Sequence, residues 1–200
     1  MKTIVGVLLC LSTAFAQKPE VTGRPEIIEH RMNPHHEAPA PTAGGTGSLS
    51  PIINHGGPVM TGTVNVYLIW YGNWNQNNGS DTPTGKGLVT TFINGIGSTS
   101  HYAINLTYPG VSASVTLAGQ YNDSGSLGTR LSDANIKTIV TNSIGPGKLP
   151  SDTNGVYFVL TSSDVTARSG FCTRYCGWHT HGTIGGQNLK YSFVGNANRC

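Results

Sequence analysis

Cys172, Cys176, His179 and His181 stand within ten residues of one another and are the side chains of this sequence best suited to chemistry. Two thiolates and two imidazoles suit zinc, but C-x3-C followed by H-x-H is not the usual C-x2-4-C with H-x3-5-H spacing of zinc sites. In extended backbone His179 and His181 point to the same side, because side chains alternate along a strand. The plainer reading is a disulfide with two surface histidines beside it, which suits an oxidising compartment. Oxidised cysteines cannot supply thiolates, so no metal and no other cofactor is expected, His179 and His181 being the weak metal candidates.

The compartment follows from the N-terminus. Lys2, the apolar run Ile4 to Leu11 and the small-residue pair Ala14-x-Ala16 have the form of a secretory signal peptide over residues 1–16, with cleavage expected after Ala16. Its apolar core is far short of the ~20 residues of a membrane span. No later stretch approaches that length, since Asn65 and the polar Gly72-Asn73 interrupt the longest run. A secreted, extracellular protein with no membrane span is the expectation.

Cleavage removes Cys10 and leaves Cys172, Cys176 and Cys200, an odd number for a secreted chain. A Cys172 to Cys176 bridge closes a short loop, worth about 2 kcal/mol, and a bridge to Cys200 a long one, worth about 3.5 kcal/mol. The short bridge also needs a tight turn at Thr173-Arg174-Tyr175 to bring the Cα atoms within ~7 Å. Both pairings stay open. The reading leans to the local pair, with Cys200 awaiting a partner, because the sequence ends there with the look of a chain incomplete at its C-terminus.

Charged residues are 10% of the chain, against ~25% in ordinary soluble proteins. The net charge of +3 comes from scattered single residues, so no basic stripe exists to neutralise a row of phosphates and nucleic acid is excluded as a partner. Asn78, Asn105 and Asn122 head N-glycosylation triplets. Residues 17–56 are rich in Pro, Gly and His and offer no core, so they read as a disordered leader. His30, His35, His36 and Glu37 within it are a faint metal tract.

The globular domain is placed at residues 57–200. Thr63 to Tyr71 reads as a strand, and Leu88, Val89, Phe92, Ile93 and Ile96 as one face of a helix capped by Thr84 and stopped at Gly97. Ser112 to Leu117 alternates as a strand. Ser132 or Asp133 caps a helix with Ile136, Ile139, Val140 and Ile144 on its apolar face, closed by Gly145-Pro146-Gly147. Val156 to Thr161 reads as a central strand and Leu189 to Val194 as a further short one. Strands alternating with amphipathic helices predict a single α/β domain, a mixed sheet flanked by helices. No nucleophile elbow, P-loop, dinucleotide fingerprint or H-E-x-x-H is present. Asp81, Asp123, Asp133, Asp152 and Asp164 fall in loops or caps, where solvated or capping carboxylates are ordinary.

Gly57-Pro58-Val59-Met60-Thr61-Gly62 before the strand ending Leu68-Ile69-Trp70-Tyr71-Gly72 is one of several distinctive blocks. With Gly155 to Val165, Phe171-Cys172, Cys176-Gly177-x-His179 and Val194-Gly195-Asn196, the chain resembles the phosphate-induced protein 1 family, whose plant members are called EXORDIUM-like. The resemblance implies a secreted extracellular, cell-wall or apoplast protein linked to growth, with no established biochemical activity. It carries over Cys172, Cys176 and His179 but not His181. Some relatives look zincin-like, continuing past the position of Cys200 into a helix with an H-E-x-x-E-type motif, which implies a possible zincin-like upper subdomain here.

A non-enzymatic secreted protein with an extracellular or cell-wall partner is therefore the expectation. The alternative is a fragment of a zincin-like extracellular metallohydrolase, with zinc as cofactor, whose metal helix lies beyond Cys200. Carbohydrate binding through Trp70, Tyr71, Trp74 and Trp178 is a third, weaker reading.

Overall fold

The computed structural model describes residues 60–200. The signal peptide, its cleavage after Ala16, the leader 17–56 and the tract His30, His35, His36 and Glu37 lie outside the described residues.

Five strands form the main sheet, in spatial order β2-β1-β4-β7-β6. They are β1 (Gly62–Tyr71), β2 (Val111–Asp123), β4 (Gly155–Thr161), β6 (Gly177–Ile184) and β7 (Gln187–Val194). β1 runs parallel to β2 and β4, β4 is parallel to β7, and β6 returns antiparallel along β7. Two-residue strands β3 (Arg130–Leu131) and β5 (Thr166–Ala167) pair separately. The mixed main sheet and the central place of β4 agree with the sequence reading.

Helices cover both faces. α1 (Pro83–Ile96) crosses from β1 to β2, followed by the short α2 (Ser100–Ala103), and α3 (Asp133–Asn142) lies between β3 and β4. Thr82, two residues before the expected Thr84, caps α1, its hydroxyl accepting from Gly85 N–H at 3.0 Å. Pro83 explains the shift, since its fixed φ and missing N–H suit the first helical position. α3 starts with a capping box: Ser132 Oγ accepts from Asn135 N–H at 3.2 Å and Asn135 Oδ1 accepts from Ser132 N–H at 2.8 Å. Its Ile136, Ile139 and Val140 are wholly buried.

Each face has its own apolar core. On the α1 face Ile93 packs with Val66, Leu68, Trp70, Phe158, Leu160 and Val194. On the α3 face Ile136, Ile139 and Val140 meet Ile69, Tyr71, Val159 and Phe193. Burial on both faces is why β1 and β4 read as near-continuous apolar runs. The pairing of β1 with edge strand β2 carries register shifts between Gly62 and Val64 and between Val66 and Tyr67.

Candidate functional site

Open parallel sheets place ligands outside the carboxyl ends of their strands, where the strand order reverses. Here that point lies between β1 and β4, because the chain goes outward from β1 to β2 and then back across to β4. The segments leaving β1, β4 and β7 converge there on Asp81, which is fully buried.

Two glycines allow the approach. Gly72 has φ +95°, and a Cβ there would come within 2.1 Å of Ser162 Oγ. Ser162 Oγ instead accepts from Asn73 N–H at 3.0 Å and donates to Asp164 Oδ1 at 2.6 Å. Gly195 lies beneath the Phe171 ring, which a Cβ would meet at 2.2 Å. That contact seats Asn196, whose side-chain amide donates to Asp81 Oδ1 at 2.5 Å and to Ser80 Oγ at 3.0 Å.

Asp81 Oδ2 accepts from Ser163 Oγ at 2.6 Å, Asn78 Nδ2 at 2.7 Å, Ser163 N–H at 2.9 Å and Gln76 Nε2 at 3.1 Å. Oδ1 also receives Ser80 Oγ at 3.3 Å. A carboxylate offers about four lone-pair sites, and all are taken by donors of the chain itself. A carboxylate so saturated has no free lone pair with which to remove a proton from a substrate. It ties the ends of three strands together.

The other aspartates divide between capping and support. Asp123 closes its turn by accepting from Gly125 N–H, Ser126 N–H and Ser126 Oγ at 2.7 to 3.0 Å. Asp133, in the first turn of α3, accepts from Ser169 Oγ at 2.6 Å. Asp152 sits at the opposite end of the sheet, bonded by Asn65 Nδ2 at 2.8 Å and Tyr67 OH at 2.9 Å. Burial pushes its carboxyl up, but the Asn65 amide, the Asn154 N–H, the Tyr67 hydroxyl and the Lys190 charge outweigh that and hold it below the usual range. Asp81 and Asp123 are buried rather than solvated, Asp123 in the capping role that the sequence reading allowed.

The cysteine reading needs one correction. The bridge joins Cys172 to Cys200, with Cα atoms 5.1 Å apart, and the free, exposed thiol among the described residues is Cys176. Cys172 lies in a tight turn, its N–H donating to the Tyr175 carbonyl at 3.1 Å, with φ +72°. The 3-10 turn Ala197–Arg199 after β7 then brings Cys200 back to it. Cys200 thus finds its partner within this chain, and the local Cys172 to Cys176 pair does not form. His179 and His181 do share one face of a strand, β6, opposite Ser192 and Lys190. No group of three or more His, Cys, Asp or Glu fit to hold a metal occurs among the described residues.

The glycosylation triplets also separate. Asn78 Nδ2 spends both hydrogens, on Asp81 Oδ2 and on Ser163 Oγ at 2.8 Å, so a glycan there would displace part of the network. Asn105 Nδ2 donates to the Tyr102 carbonyl at 2.9 Å. Asn122 is exposed, its Oδ1 accepting from Lys86 Nζ at 2.6 Å. Of the aromatic residues considered for carbohydrate, Trp70, Tyr71 and Trp178 are 2%, 0% and 7% exposed. They are core, leaving the half-buried Trp74, which packs edge-on against Trp70 with centroids 4.7 Å apart. Lys86 lies over both rings, and its burial lowers its pKa.

The profile of the phosphate-induced protein 1 conserved region matches residues 52–200. The chain belongs to that family. Protein EXORDIUM-like 5 of Arabidopsis thaliana is 32% identical over 173 residues, covering 78% of this chain and 46% of the relative. Protein EXORDIUM of the same plant is 30% identical over 168 residues, covering 72% and 49%. The chain thus spans about half the length of the curated relatives it matches. No solved structure matches it. The Gly72, Ser162-Ser163 and Val194-Gly195-Asn196 blocks of this sequence are among those that build the Asp81 network. The sequence reading named Asp81 only as a loop or capping carboxylate and Asn78 only as a glycosylation candidate, and passed over Gln76, although all three follow the end of β1 just as Ser162 and Ser163 follow β4. No helix of the described residues is long and apolar enough to cross a membrane.

Proposed function

We propose that this chain is a secreted, extracellular or cell-wall-associated protein that acts without catalysis, through its surface. The observation that supports the reading is the Asp81 crevice: the place where such a sheet offers a ligand site is filled by the chain's own donors. What reaches solvent there is a loop surface around Asn73, Asn78 and Asp164 held in fixed geometry. The signal-peptide pattern of residues 1–16 and membership of the family support the extracellular setting.

The test is expression of the full chain with its own leader in a secretory host. The expected product is found in the medium with Gln17 at its N-terminus, is retained on isolated cell-wall material and carries no stoichiometric zinc. Retention inside the cell would refute the extracellular part. One zinc per chain together with peptide hydrolysis would refute the non-catalytic part and favour the metallohydrolase.

A further inference from the structure

A second cluster stands at the carboxyl end of edge strand β2, outside the Asp81 network. Asn122 is the register partner of Trp70 on β1, and its Oδ1 accepts from Lys86 Nζ at 2.6 Å. The same ammonium lies 5.1 Å from the Trp70 ring centroid and 6.0 Å from that of Trp74. Gln120, two positions back and so on the same face of β2, accepts from Trp70 Nε1 at 2.9 Å. These contacts make one continuous patch of indole, amide and ammonium. Trp70 is core, whereas Trp74 is half-buried and Gln120 and Asn122 are exposed.

Asn122-Asp123-Ser124 is also an acceptor triplet for N-glycans. An asparagine amide carries two N–H donors, and attachment of a sugar replaces one of them. Asn78 spends both, on Asp81 Oδ2 and Ser163 Oγ, so a sugar there must break a bond of the buried network, at the cost of leaving a partner unmet. Asn105 spends one, on the Tyr102 carbonyl. Asn122 Nδ2 donates to no described residue, and only its Oδ1 is engaged. Of the three it alone can take a sugar with every existing bond of its side chain kept. The exposed Ser124 follows it, and the strand is at the edge of the sheet, where a bulky group has room.

We infer that Asn122 is an N-glycan acceptor of this chain, that Asn78 is not, and that the first sugar at Asn122 packs on the patch of Trp74 and Lys86. The inference rests on the secreted, extracellular reading above. Asn122 Nδ2 attacks the anomeric carbon of a lipid-linked oligosaccharide diphosphate. The N–C bond forms as the bond from that carbon to the phosphate oxygen breaks, the Nδ2 proton passes to a base of the transferase, and the lipid diphosphate leaves. The ring C–H face of the sugar is apolar and covers the half-buried indole, which removes apolar surface from water. Its hydroxyls meet Lys86 and Gln120.

The test is the full chain made in a eukaryotic secretory host, behind its own leader and in parallel behind a leader proven in that host. Retention of the first product with secretion of the second counts against the extracellular reading, and the second product still decides the glycan. Peptide N-glycosidase in heavy-oxygen water turns each glycan-bearing asparagine into a labelled aspartate, read by peptide mass spectrometry. Label is expected at residue 122 and not at residue 78; an unlabelled residue 122, or equal label at residue 78, overturns the inference. Ser124→Ala removes the triplet and leaves the Asn122 side chain and its Lys86 bond in place. It is expected to lose the glycan and to unfold at lower urea than the glycosylated parent, the difference vanishing when both are made with synthesis of the lipid-linked donor blocked. Equal midpoints with the parent glycosylated, or a difference that survives the block, overturn the packing on Trp74.

Discussion

Replacing Asp81 by alanine removes the acceptor that joins the loop after β1 to Ser163 and Asn196. Some donors keep a second partner: Gln76 Nε2 still has Asp164 Oδ1 at 2.9 Å and the Asn73 carbonyl at 3.0 Å, and Asn78 Nδ2 keeps Ser163 Oγ. Ser163 N–H has Asp81 Oδ2 as its acceptor and is left without it. Asn196, 7% exposed, retains Ser80 Oγ at 3.0 Å in place of a charge-assisted bond. Hydrogen bonds to charged groups contribute ~1.5–3 kcal/mol each, and a buried donor left unmet costs ~1–3 kcal/mol. These terms are not additive, so Asp81→Ala is expected to cost about 3–5 kcal/mol, a large part of a stability of ~5–15 kcal/mol.

Asp81→Asn keeps one oxygen but turns an NH2 group toward donors, and it also relieves the desolvation of a charge, so its cost is expected nearer ~2 kcal/mol. Urea unfolding followed by tryptophan fluorescence reads both, since Trp70 and Trp178 are buried. The change should appear in the midpoint at constant slope. If Asp81→Ala unfolds within ~1 kcal/mol of the parent, the network does not hold the strand ends together and the reasoning fails. If Asp81→Asn is more stable than the parent, the buried charge is retained at a cost for some purpose other than folding, and the crevice must be reopened as a ligand or catalytic site.

At alkaline pH, Tyr67, Tyr71, Tyr157 and Tyr191 are all held above the ordinary phenol value, burial being the first cause for each. An acid whose pKa is raised by folding contributes stability that is complete below its unfolded pKa, about 10, and lost as pH rises through the folded values. Absorbance at 295 nm should therefore show these phenolates forming cooperatively with unfolding, and smooth ionisation of all eight tyrosines in a still-folded chain would contradict the burial argument. For the cysteines, Cys200→Ser is expected to cost ~2–4 kcal/mol and Cys176→Ser less than ~0.5 kcal/mol, as measured by urea midpoints. Non-reducing peptide mapping should recover Cys172 linked to Cys200 with Cys176 alkylated; a Cys172 to Cys176 peptide would reverse the assignment.

The elements that bury one or both faces were the legible ones. β1 and β4 announced themselves because central strands of a doubly covered sheet must be apolar almost throughout, and α3 because Ile136, Ile139 and Val140 recur at helical spacing. Edge strands carry less of that signal. The alternation that predicts β2 covers only Ser112 to Leu117 and stops short of Gly119, where a Cβ would meet Leu149 Cδ2 at 3.0 Å and Tyr67 Cδ1 at 3.3 Å. The glycine is there to admit side chains, and the strand continues to Asp123. β6 was not assigned as a strand because Gly177 and Gly182 dilute its pattern. Its hairpin signal was nevertheless present in Gly185-Gly186, whose φ values of +57° and +80° suit a two-residue turn of the type that matches strand twist.

The site was less legible than the fold, and the reason is topological. Asp81 is separated from Ser163 by 82 positions and from Asn196 by 115, and each lies in a loop whose composition alone says solvent. Only the spatial order of the strands makes those loops neighbours: with β4 inserted between β1 and β7, the three segments that leave the carboxyl ends side by side are the ones bearing Asp81, Ser163 and Asn196. The same order explains the disulfide. Cys172 and Cys176 are close in sequence, but the Phe171 ring packed on Gly195 fixes the Cys172 turn against the end of β7, six residues before Cys200. The expectation of a missing partner for Cys200 tilted the sequence reading to a bridge within the turn, whereas the segment leaving β7 carries Cys200 itself back to Cys172 and leaves Cys176 exposed.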